Sequence, residues 1–140
     1  MSWIVYVYAL LSAVFAALVA IFGKIGLAGI DSTLATTVRA IVMAVFLVVV
    51  SFSLGKFDFL NTLGNKAIFF IVLSGVAGAL SCLFYFLAIK LGTVTGVVAI
   101  DRTSVVFAFI LAALFLSEAV TWGKVTGAVM VAAGAFLMAI

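Results

Sequence analysis

The sequence predicts an all-α membrane protein of five transmembrane helices, and three observations carry that prediction. Hydrophobic residues make up 69% of the chain and charged residues 8%, against about 45–50% and about 25% in soluble domains. The apolar residues gather into five runs, each near the roughly 20 residues of helix that cross a bilayer core about 30 Å thick. Between the runs lie short stretches that hold half of the Gly, both Asn and four of the five Lys. A soluble surface stays dispersed through its charge, and seven basic with four acidic side chains do not cover a fold of 140 residues.

The runs are Trp3–Phe22, Thr33–Leu54, Ala67–Ile89, Val94–Leu116 and Trp122–Ile140. Helix is required because lipid offers no partner to an exposed backbone amide. A barrel strand would alternate polar and apolar residues, and none of these runs alternates. Met1-Ser2-Trp3 lacks Lys and Arg, and the apolar run after it exceeds the roughly 7–15 residues of a signal-peptide core. It is therefore read as the first span. Asp31 or Ser32 is placed to cap the second. Gly55 to Lys66 forms the longest and most polar loop, with Lys56, Asp58, Asn61 and Asn65. Lys90-Leu91-Gly92-Thr93 is so short that spans three and four must be antiparallel neighbours. Ser117 to Thr121 leads into the fifth span, with Glu118 expected to face the positive end of its dipole. Trp3, Tyr6, Tyr8 and Trp122 lie near span ends, where aromatic belts form. One domain, residues 1–140, is expected.

Composition removes several function classes. There is no histidine, so Ser-His and Cys-His catalysis and His-based metal sites are excluded. The single Cys82 makes neither an intrachain disulfide nor a thiolate zinc site, and is read as a small packing residue. A scattered net charge of +3 is no footprint for nucleic acid. No enzyme, metal or bound cofactor is expected.

Five spans put the two ends on opposite faces. One face carries Lys56, Lys66 and Lys124; the other carries Lys24, Lys90 and, near its end of span two, Arg39. Orientation follows the Lys/Arg imbalance, and here that imbalance is almost nil, so insertion in both orientations is expected.

Charges inside spans are costly, about 2.5–3.5 kcal/mol each at mid-helix, and mark function by default. Arg39, Asp101 and Arg102 are the three candidates. Asp101 and Arg102 lie within about 6 Å of the centre of span four at 1.5 Å rise per residue. Neighbours on a helix point about 100° apart, so each needs a partner elsewhere. On span three Ser74, Gly78, Ser81 and Tyr85 share one face; on span four Asp101 shares one with Ser104 and Ala108. Span two places Thr36, Arg39, Ala40 and Met43 together. Ser74 and Gly78 read as small residues for close helix approach. Ser81, Tyr85 and Ser104 join the charges as candidate substrate contacts. Span five shows Gly123, Gly127 and Gly134 on one side, a packing or dimer seam. The interfacial Lys24 and Lys90 are expected to snorkel.

Gly23-Lys24-Ile25-Gly26, Arg39, Tyr85-Phe86-Leu87-Ala88-Ile89-Lys90, Ile100-Asp101-Arg102-Thr103-Ser104 and Leu116-Ser117-Glu118, then Gly127 and Gly134, follow one another along the chain. In that order they resemble the EamA domain family of the drug/metabolite transporter superfamily, over nearly the whole sequence. The family often places a proline near Ala99; this chain has none, so no helix break is expected there, while Gly92 and Gly96 can loosen the start of the span. The resemblance implies an inner-membrane transporter of small metabolites, often an exporter. Members typically join two inverted five-span repeats, and this chain looks like one repeat. That implies an antiparallel homodimer in the lipid bilayer, with its site near the midplane. Arg102 or Arg39 would attract an anionic group and Asp101 a cationic one, which suits a zwitterion such as an amino acid. Asp101 is also placed to carry a coupled proton or ion. The rival readings are a small multidrug-type cation exporter, a lipid-linked sugar flippase, and a non-transporting subunit that stabilises a partner complex.

Overall fold

The computed structural model describes residues 3–58 and 63–140. Among these there is no strand. Six helices follow in order: α1 Trp3–Gly26, α2 Ser32–Ser53, α3 Asn65–Leu91, α4 Val94–Asp101, α5 Ser104–Phe115 and α6 Trp122–Ala139. They make five membrane-length spans, because α4 and α5 share the fourth, Val94–Phe115. Phe46, Phe69, Phe107 and Phe136 are all exposed, as are most large apolar side chains, while buried apolar residues are few. Helices that are apolar all round belong in lipid. Asn61 of the long polar loop and the two N-terminal residues lie outside the described residues.

Local chemistry explains where the helices begin and end. Asp31 is the residue that caps α2, accepting from the backbone N–H of Thr33 at 2.9 Å and Leu34 at 3.0 Å; Ser32 is instead buried. Gly55, at φ +62°, turns the chain just past α2 in a left-handed conformation that suits glycine. The Thr93 hydroxyl caps α4 by accepting from Gly96 N, and that of Thr121 caps α6 by accepting from Lys124 N.

Span four is interrupted at Arg102-Thr103, a few residues past the Ala99 position where no break is expected. Thr103 N donates to Ile100 O at 2.9 Å, Val105 N to Arg102 O at 3.1 Å and Val106 N to Thr103 O at 2.9 Å. These are three-residue rungs in place of the four-residue rungs of an α-helix. The Thr103 hydroxyl donates to the same Ile100 carbonyl at 2.7 Å. A side chain that bonds its own backbone offers the chain an alternative to the helical ladder. The break therefore needs neither proline nor glycine, and it falls at Arg102-Thr103, not at the start of the span.

The chain divides into two compact units, Met1–Lys24 with Leu91–Ile140, and Ile25–Lys90. In the first, α6 packs most closely on α4 and less closely on α5. Small residues permit the tight half: Gly96, Ala99, Ala128 and Ala135 are buried. A Cβ on Gly96 would stand 2.9 Å from Thr93 Oγ1 and 3.8 Å from Ala139 Cα. Between α5 and α6 the helices leave an apolar groove of about 430 Å³, lined by Val106, Phe109, Val125, Ala128 and Ala132 among others. Lys24 Nζ donates to Gly92 O at 2.9 Å. In the second unit Leu27, Ser32, Phe86 and Ile89 are buried, and Lys90 Nζ donates to Ile30 O at 2.9 Å. Both lysines thus turn to backbone carbonyls outside regular helix, which need an external donor at a membrane boundary.

Candidate functional site

Intramembrane hydroxyls are the cheapest polar groups to satisfy, and several here are absorbed by their own helices. Thr36 Oγ1 donates to Ser32 O at 2.7 Å and Thr37 Oγ1 to Thr33 O at 2.9 Å. Ser53 and Thr126 bond backwards in the same way. Charged groups have no such local remedy, and each unit deals with its own in a different manner.

In the unit Ile25–Lys90, Arg39 of α2 is half-buried. Its guanidinium carbon lies 4.9 Å from the centroid of the Phe86 ring. Its Nη1 donates to Cys82 Sγ at 3.7 Å, a long contact to a weak acceptor. Cys82 and Phe86 are four residues apart on α3 and share a face. Phe86 is only 3% exposed, so the ring is fixed. Tyr85 meets that ring edge-on at 5.6 Å and 85°, which brings one sequence-nominated residue into the cluster. Ser81, on the preceding turn of α3, is exposed.

In the other unit Asp101 ends α4 and Arg102 follows it, at the break. Both side chains are exposed, as is Ser104, which opens α5. Asp101 sits where the α4 carbonyls present the negative end of the helix dipole, a setting that attracts cations. On α6, a Cβ added to Gly123, Gly127 or Gly134 would meet nothing within 4 Å. The face of α6 that packs inside the chain is the one with Ala128 and Ala135. Glu118, expected to address the α6 dipole, pairs with Lys124 at 3.3 Å.

Two participants went unnoticed in the sequence. Phe86 stands among fourteen phenylalanines, and nothing in its neighbours sets it apart. Cys82 was read for packing alone. Their signal is the four-residue spacing, which marks a face of α3 about 100° from the Ser81/Tyr85 stripe.

Residues 3–140 match the EamA-like transporter family. A Sinorhizobium protein described as an uncharacterized transporter in the cobO 3′ region is 38% identical over 133 residues, which span 95% of this chain and 94% of that protein. No solved structure matches.

Proposed function

The chain belongs to the EamA-like transporter family, and we propose that it exports small metabolites such as amino acids across the bacterial inner membrane, by alternating access in an antiparallel homodimer. It is a multi-pass membrane protein of a transporter family. The observation that carries the assembly is the division of Lys and Arg, three towards each face with Arg102 near mid-span, in a chain with one set of five spans. A pair of inverted repeats places its substrate site at the midplane between them. One repeat provides such a pair by meeting a second copy inserted the other way up. The Sinorhizobium relative, matched over 94% of its length, is likewise about the size of one unit.

The substrate contacts in this reading are Arg39, Ser81 and Tyr85 from one unit and Asp101, Arg102 and Ser104 from the other. Charges of both signs inside the membrane suit a zwitterion. Asp101, at the negative end of α4, takes the cationic group or a coupled proton. The interruption at Arg102-Thr103 is the kind of broken span that transporters place beside a site. Gly123, Gly127 and Gly134 form the seam between the two copies, since among the described residues nothing lies within 4 Å of a Cβ built at any of them and small residues let membrane helices approach closely.

Orientation tests the assembly. With paired cytoplasm-active and periplasm-active reporters fused after Ile140 and expressed at native level, both reporters are expected to signal comparably. A signal from one reporter alone removes the antiparallel homodimer and directs attention to a separate partner subunit inserted the opposite way.

A further inference from the structure

Arg39 lies inside a span, where a charge must find compensation. Its unit holds two acidic residues, Asp31 and Asp58. Asp31 is engaged in capping α2 through Thr33 and Leu34. Asp58 lies past the other end of α2, about 20 Å of helix beyond Arg39 at 1.5 Å per residue. What holds Arg39 instead is a ring and a thiol: Phe86 at 4.9 Å and Cys82 Sγ at 3.7 Å. Neither neutralises the guanidinium. An aromatic face attracts a cation without accepting its strong hydrogen bonds, and sulfur accepts weakly. Within its unit the charge is therefore positioned but not cancelled. That combination is unfavourable for a structural arginine and suited to one that receives an anion.

We propose that Arg39 is where the substrate's anionic group docks, that this group is a carboxylate, and that Phe86 is the positioning residue that aims Arg39 at it. The proposal rests on the transporter reading above and deepens it, choosing Arg39 over Arg102. Guanidinium and carboxylate are both planar and pair through two parallel hydrogen bonds. A phosphate also matches the fork, but its second charge calls for a second cation. The lysines of this unit, Lys56, Lys66 and Lys90, stand at or beyond the helix ends. One positive charge balances one carboxylate.

Cys82, the single cysteine of the chain, is a native reporter beside Arg39. The protein in membrane vesicles is treated with sulfonatoethyl or trimethylammonioethyl methanethiosulfonate, and each rate is divided by that reagent's rate with a free thiol in solution. Comparing the two normalised rates then cancels any effect of Arg39 on the thiol's own reactivity, which both reagents share. The anionic reagent is expected to be favoured about tenfold or more, as for an ion drawn by an opposite charge into a low-dielectric site. Arg39→Gln removes the preference and Arg39→Lys retains part of it. Phe86→Leu reduces it, while Phe86→Tyr, which keeps the ring, restores it. Addition of L-leucine slows labelling and L-leucinamide does not.

No preference, a preference that survives Arg39→Gln, or no labelling by either reagent overturns the anion site. Phe86→Leu behaving as the native protein overturns the positioning role. Protection by inorganic phosphate but not by L-leucine overturns the carboxylate. Labelling needs no turnover, so the two readings fail separately. A charge preference without amino-acid uptake into proteoliposomes removes the transport reading alone, and uptake without the preference removes the Arg39 site alone.

Discussion

Arg39 and the Asp101-Arg102 pair are both charges inside a span, and the protein accommodates them in opposite ways. Arg39 stands on an unbroken helix with its charge held against a buried ring. Asp101 and Arg102 stand exposed where the helical ladder changes step. A charge fixed by packed neighbours keeps its geometry through a transport cycle and can recognise. At the interruption the regular rungs between α4 and α5 are replaced by shorter ones, the kind of place where a helix can hinge. The two places thus suggest a division between binding and motion, which kinetics can separate.

The largest expected effect comes from Arg39→Gln. A hydrogen bond to a charged group is worth about 1.5–3 kcal/mol, so its loss raises KM for uptake into proteoliposomes about 10- to 100-fold, with kcat little changed. Asp101→Asn and Arg102→Ala each slow uptake, and if both variants transport normally those residues lose their place in the site. An Arg39→Gln variant with normal KM and low kcat would collapse the contrast between binding and motion.

Thr103→Val should act on the other side of the comparison. Valine keeps the shape of threonine and deletes the hydroxyl that donates to Ile100 O at 2.7 Å, so the regular ladder is favoured across the break. Uptake is expected to slow several-fold at unchanged KM. Amide exchange at Ser104 and Val105 should slow as well, since regular rungs protect them. Faster exchange there would mean that the hydroxyl stabilises the helix and does not interrupt it.

How much of this was legible beforehand follows from which physical scale each feature depends on. The five spans depend on the choice of solvent, a property summed over about 20 residues, and their observed ends lie within a few residues of those expected. Arg39, Asp101 and Arg102 were legible because a charge in lipid is costly wherever it packs. The break was not, since it turns on one hydroxyl rotating toward one carbonyl; four consecutive polar residues, Asp101 to Ser104, were the available sign. Phe86 escaped because a phenylalanine in a membrane helix has the same appearance whether it faces lipid or a guanidinium. The Cα periodicity of α3 groups faces correctly, but the face that meets Arg39 is set by tertiary structure.

Glycine substitutions offer a smaller contrast within one unit. Gly96→Ala places a Cβ 2.9 Å from Thr93 Oγ1, so Thr93 must swing away and release Gly96 N, a cap worth ~1 kcal/mol. Gly127→Ala meets nothing within 4 Å and gains about 0.5–1 kcal/mol of helix propensity. Gly96 also lies in a helix and gains a similar amount, so denaturation in mixed micelles should separate the two variants by the lost cap, about 1 kcal/mol. Gly127→Leu should leave the monomer's midpoint alone while separating copies that meet at the seam. Equal destabilisation by both alanines would mean that Gly127 packs within the chain.

The smallest expected effect is a pH dependence outside the spans. The Asp31 carboxyl is held below its ordinary value of 3.8, first by the backbone N–H of Leu34, then by Thr33 and the charge of Lys90, with desolvation opposing. A carboxyl whose pKa is lower folded than unfolded stabilises the fold fully above the unfolded value. That contribution disappears as pH falls through the lower, folded value. The thermal midpoint in detergent should therefore be level near neutrality and decline below about pH 4. Asp31→Asn still caps α2 but has no proton to gain, so its decline should be shallower over the same interval. The exposed position of the carboxyl keeps the difference small. An identical acid decline in both proteins would mean that the Asp31 carboxyl does not carry the acid sensitivity.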